Sequence, residues 1–131
     1  MTYLSRDDIL KADDLHIEDV EVPEWGGIVR VCGLSGRERA DFQISTIQLR
    51  GKETIPVLSN LQAKLVARAI VDEDGHRMFT DQDITALGEK SSTTLERVFQ
   101  VASRLSGLSD DDLETLAGNS EPTENGGSIS A

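Results

Sequence analysis

Two histidines, one cysteine and several runs of acids are the groups in this 131-residue chain whose types could do chemistry. His16 and His76 have no Cys or Asp beside them in a nucleophile–base arrangement, so surface histidine is the plain reading of both. Cys32 lies in the apolar run Ile28-Val29-Arg30-Val31-Cys32, where a thiol serves as a small core hydrophobe. A single cysteine also excludes an internal disulfide and any all-thiolate metal site. Gly33-Leu34-Ser35-Gly36 has neither the spacing nor the Lys of a phosphate-binding loop. Asp72-Glu73-Asp74-Gly75 offers oxygen ligands, but a calcium loop needs a Glu six residues after its Gly, and Asp81 stands there. A hairpin turn accounts for it. Asp110-Asp111-Asp112 falls at a helix start, where acids interact favourably with the helix dipole without any ion. No catalytic, cofactor or metal site is expected, and the chain does not read as an enzyme.

Trp25, between Glu24 and Gly26-Gly27, is the most suggestive single residue. At a hairpin tip it either folds back over a small core or stands out as an anchor for a partner, since Trp is enriched at binding hot spots.

The elements that position these groups follow from charge and hydrophobic period. Thirteen basic against 24 acidic residues give a net charge of −11 and a pI near 4.5. That excludes a general nucleic-acid binder, because duplex affinity comes largely from Lys and Arg displacing counterions. Residues 1–24 carry two basic and eight acidic groups, 25–68 seven and three, and 69–131 four and thirteen. The basic middle can pair with the acidic ends within one molecule or between copies. Hydrophobic residues make up 37%, with five aromatics, so the core is expected to be modest and aliphatic. No apolar run approaches the roughly 18–20 residues of a membrane span. Met1 to Asp8 lacks the basic and apolar regions of a secretory signal, and a cytosolic setting is expected.

Ser5-Arg6-Asp7-Asp8 has a capped helix start, followed by Ile9 and Leu10. From Glu18 the period changes to two, predicting strands over 18–23 and 28–33 joined through Pro23-Glu24-Trp25-Gly26-Gly27 as a hairpin. Ser35 and Glu38 form a second capping box, opening a helix expected to reach Leu49 or Arg50. Its apolar residues fall on two sides, Ala40, Ile44 and Ile47 on one and Phe42 and Leu49 on the other, so one side is available to a partner or the helix lies deep. Leu65, Ala67, Ala69 and Val71 alternate as a strand, and with the acidic turn and His76 to Phe79 they predict a second hairpin, although the alanines also suit a helix. Thr80 caps a short helix to Gly88, and a longer one spans about 92–106 with Leu95, Val98, Phe99, Ala102 and Leu105 on one face. Ser109 caps a last small helix, and a polar tail of low apolar content follows. The expectation is a small α+β domain over 1–118, with one or two β-hairpins packed with about four helices, and a flexible, disordered tail over 119–131.

The runs Val20-Glu21-Val22-Pro23-Glu24-Trp25-Gly26-Gly27-Ile28-Val29-Arg30-Val31 and Leu34-Ser35-Gly36-Arg37-Glu38-Arg39 resemble siphophage tail proteins of actinobacterial hosts. So do Val71-Asp72-Glu73-Asp74-Gly75, Phe79-Thr80-Asp81, Leu87-Gly88-Glu89-Lys90 and Val98-Phe99 to Leu105-Ser106-Gly107-Leu108. Together, over residues 3–120, the chain resembles the tail assembly chaperones in their short, non-frameshifted form.

This resemblance implies a non-enzymatic role in building a long non-contractile tail. The implied partners are the tape measure protein, a longer frameshifted form of the same chain and, indirectly, the tail tube protein. A homo-oligomer is possible; nucleic acid, membrane and cofactors are not implied. The implied location is the host cell cytoplasm, with the chaperone absent from the finished virion. The resemblance carries no site residues, so the expected contact surface is an inference from surplus apolar surface: Trp25, Phe42, Leu49 and Phe99, ringed by Arg37, Arg39 and Arg50. Two other classes fit the size and charge. One is a structural tail completion or connector protein; the other is an acidic DNA mimic, against which the basic middle segment argues.

Overall fold

The computed structural model describes residues 2–50, 53–56, 60–109 and 112. The helix expected after Ser109 and the expected tail over 119–131 lie, apart from Asp112, outside these residues.

Helix α1 (Arg6–Lys11) opens with the expected capping box, Ser5 Oγ accepting from Asp8 N at 3.1 Å while Asp8 accepts from Ser5 N at 3.0 Å. Strands β1 (Ile17–Val22) and β2 (Gly27–Cys32) form the first hairpin, antiparallel with Val20 opposite Val29 and Glu18 opposite Val31. A 3-10 turn, Pro23–Trp25, joins them, and Gly26 at φ +84° closes it in the left-handed region where a side chain would be strained. Because side chains alternate across a strand, Val20, Val22 and Val31 share the buried face, while Ile17, Asp19, Glu21, Ile28 and Arg30 share the outer one.

Helix α2 (Gly36–Ser45) begins with the Ser35–Glu38 capping box but ends earlier than expected. Ser45 Oγ donates to Phe42 O and Thr46 Oγ1 to Gln43 O, both at 2.6 Å, and Lys64 Nζ donates to Ser45 O at 2.9 Å. With these carbonyls satisfied from outside the helical ladder, the chain is free to leave it. It continues as β3 (Ile47–Arg50), paired antiparallel with β4 (Glu53–Pro56) in a separate two-stranded sheet.

The alternating run that suggested a strand over 64–71 is instead helix α3 (Leu61–Ala69), followed by the two-residue strand β5 (Ile70–Val71). Ala63 and every residue from Leu65 to Ala69 are buried, and a helix enclosed on most sides carries too many apolar groups to show a clean 3.6 period. The second hairpin survives as a stub: β5 pairs with β2, giving the order β1-β2-β5, and Val71 bridges to Arg77 across the acidic turn. A 3-10 turn (Asp81–Asp83) leads into α4 (Ile84–Gly88), and α5 (Ser92–Leu105) is the amphipathic helix expected.

Helix α5 turns Leu95, Val98, Phe99 and Ala102 toward the inner sheet face and α3, closing one core with Phe42, Leu65, Val66 and Ile70. Gly33 lies so near α5 that a Cβ there would stand 2.4 Å from Leu105 O. Among the described residues, no helix is long and apolar enough to cross a membrane.

Candidate functional site

The hairpin tip is held to α5 from below. Pro23 presets the first position of the 3-10 turn, which directs the Glu24 carboxylate to Arg97 and Thr94. Arg97 Nη1 donates to Glu24 Oε1 at 3.0 Å, and Thr94 Oγ1 donates to Oε2 at 3.3 Å. The Arg97 guanidinium holds the Glu24 carboxyl down to about 2. This clamp lays Trp25 half-buried against the core. Beside it, Phe79, Ala86 and Leu87 line a mostly apolar recess of about 210 Å³, with Asp83 and Lys90 adding charge. Trp25 therefore packs over the edge of the core, the first of the two alternatives, with the rest of its surface accessible.

The chemistry-bearing groups sit in structural roles. His16 and His76 are exposed. Burial pushes the Cys32 thiol up, away from the thiolate form a nucleophile needs. Asp72, Asp74 and His76 bring three potential ligand atoms within 4.8 Å of one another. Asp72 Oδ1, however, accepts from His76 N and Asp74 N, each at 2.9 Å, and the His76 backbone bond leads in drawing its pKa below the usual range. These bonds, with Gly75 at φ +86°, build the turn that the sequence indicated.

Of the expected contact residues, Arg37 is exposed on α2, and Arg39 is half-buried with Nη2 3.5 Å from Asp112 Oδ2. Phe42 and Phe99 lie in the buried cluster, so neither meets a partner unless the core opens. Leu49 and Arg50 fall on β3, and their side chains lie outside the described ones. Trp25, Phe42 and Phe99 converge on one core, with Trp25 at its edge. The outward side of α2 is carried by Ile44, 64% exposed, rather than by Phe42.

Residues 9–120 match the family described as phage tail assembly chaperone. The chain belongs to this family. It is also similar in structure to the tail assembly chaperone of bacteriophage HK97, with a TM-score of 0.50 and 19% identity over 70% of this chain and 85% of that one. At that identity the likeness is one of fold. No curated protein sequence matches the chain. As a family member the protein has a chaperone role in phage tail assembly and meets tail proteins.

For a chaperone, the accessible apolar residues matter most, and sequence reasoning passed over the largest group of them. Tyr3, Leu4, Ile9, Leu10, Leu15 and Ile17 are all exposed, from 39% to fully so. Helix α1 buries none of its residues. The signal was present: Ile9 and Leu10 occupy a capped helix too short to stand alone, followed at once by the polar break Ala12-Asp13-Asp14.

Proposed function

We propose that this chaperone binds the tape measure protein of a long non-contractile tail, keeps it soluble and promotes assembly of the tail tube around it. It acts without catalysis in the host cell cytoplasm, as the short partner of a longer frameshifted form, and leaves before the virion is complete. The longer form brings in tail tube protein. The observation that carries this reading is the combination of family membership with large aliphatic side chains left exposed on an acidic body: Ile9, Leu10, Ile17, Ile28 and Ile44. Apolar contact holds a client helix, and a net charge of −11 keeps the complexes dispersed. Many copies along one long client add avidity even where each contact is weak. On the body, the proposed contacts are Trp25, Arg37 and Arg39 at the surface, Phe42 and Phe99 supporting them from beneath, and Leu49 and Arg50 on β3.

The test is co-expression with the tape measure protein from the same genome, followed by sedimentation and pull-down. A soluble complex containing both chains is expected. A client that stays insoluble even with the frameshifted form supplied, together with recovery of this chain from purified virions, would make it a structural tail component instead.

A further inference from the structure

We infer that the N-terminal arm, residues 2–17, is the principal client contact, and that it docks on the apolar stripe of a basic amphipathic helix of the tape measure protein. The inference rests on the proposed function and deepens it by naming the surface and the chemistry of its occupant. Every residue from Thr2 to Ile17 is exposed, although six of them are large and apolar. The arm is tied to the body at its base, where Gly33 N donates to His16 O at 2.8 Å. Its helix has six residues, well short of the roughly 12–15 at which an isolated helix becomes even marginal in water. A capped, apolar and unpacked helical turn of this kind gains its order from a surface it binds, in the manner of coupled folding and binding.

Charge selects the occupant. The arm sets Asp7, Asp8, Asp13 and Asp14 around its apolar residues, against Arg6 and Lys11. A second copy of the chain is a poor match, because it carries −11 overall. Its arginines are also largely engaged within their own molecule: Arg30 with Asp19, Arg39 with Asp112, Arg77 with Asp81, Arg97 with Glu24 and Arg104 with Glu18. An anionic membrane would be repelled. A helix with Lys or Arg beside an aliphatic stripe satisfies both the apolar and the acidic groups of the arm.

The experiment compares the full chain with an Ile9→Asp/Leu10→Asp double variant and with Thr85→Glu, each co-expressed with the tape measure protein. The expected result is at least about tenfold less soluble complex for the double variant, a loss of the size that one well-buried contact region produces. Thr85→Glu, at an exposed α4 position outside the proposed contacts, should retain most of the complex, and the thermal midpoint of the purified double variant should match that of the wild type. Undiminished complex with the double variant would overturn the arm while leaving the proposed function standing. Failure of the wild type to hold the client even with the frameshifted form supplied would remove both. A wild-type oligomer that the double variant dissociates, with client binding unchanged, would assign the arm to a second copy and overturn the inference.

Discussion

The body and the arm of this chaperone use the same kinds of side chain to opposite ends. Leu65 and Val66 on α3 are fully buried, whereas Ile9 and Leu10 on α1 are 58% and 66% exposed. Both helices are short, but α3 is followed directly by β5 and lies against α5 and α4, so its apolar groups meet neighbours supplied by the same chain. Helix α1 precedes all of that and is separated from β1 by a polar stretch, and none of the described residues covers it. Burial of a Leu or Ile is worth about 1.5–3 kcal/mol wherever it occurs. In the body that energy goes to folding; in the arm it remains available for association.

The contrast is broken most severely from the body's side. Phe42→Ala removes a ring that is 0% exposed and should cost about 3–5 kcal/mol by urea denaturation. A loss below 1 kcal/mol would mean that the ring is not a core element. Next, Gly33→Ala should cost about 1–3 kcal/mol, because the new methyl group meets the Leu105 backbone and α5 must move. Gly36→Ala, with open space at its Cβ, is the control and should be neutral or slightly stabilising.

Smaller effects sharpen the comparison at the tip. The Glu24 pKa is depressed from 4.5 to about 2, so its clamp on Arg97 is fully present above pH 4.5 and is lost as pH falls toward 2. The chain holds a single Trp, and Trp25 emission should report that loosening directly. In Glu24→Gln this step in the emission–pH curve should disappear. Smallest of all, Ile9→Ser should leave stability within about 0.5 kcal/mol of the wild type, as measured by thermal unfolding. A larger loss would show the arm to be part of the folded body.

Elements whose signals are local were legible from the residues. The Ser5, Ser35 and Thr80 boxes, the hairpin around Pro23 to Gly27, the Asp72 turn and the stripe of α5 all read correctly, because a cap, a turn or an amphipathic face is written within a few positions. Helix α3 did not, since Leu65, Ala67 and Ala69 alternate as a half-buried strand would, and only enclosure by α4 and α5 makes a helix with apolar groups on most sides the better solution. The end of α2 was missed for a related reason. Lys64, far along the chain, supplies part of the hydrogen bonding that stops it.

The contact surface divides in the same way. Composition and charge alone determined an acidic chain with few aromatics and a modest, mainly aliphatic core, and residue patterns pointed to the tail assembly chaperones. Which apolar residues face outward was decided only in three dimensions. Phe42 and Ile44 are two positions apart on one helix, and the packing of α2 against α3 turns the first into the core and leaves the second in water. A helix has no intrinsic inside. Its buried face is chosen by the neighbours that arrive, and those come from segments distant in the chain.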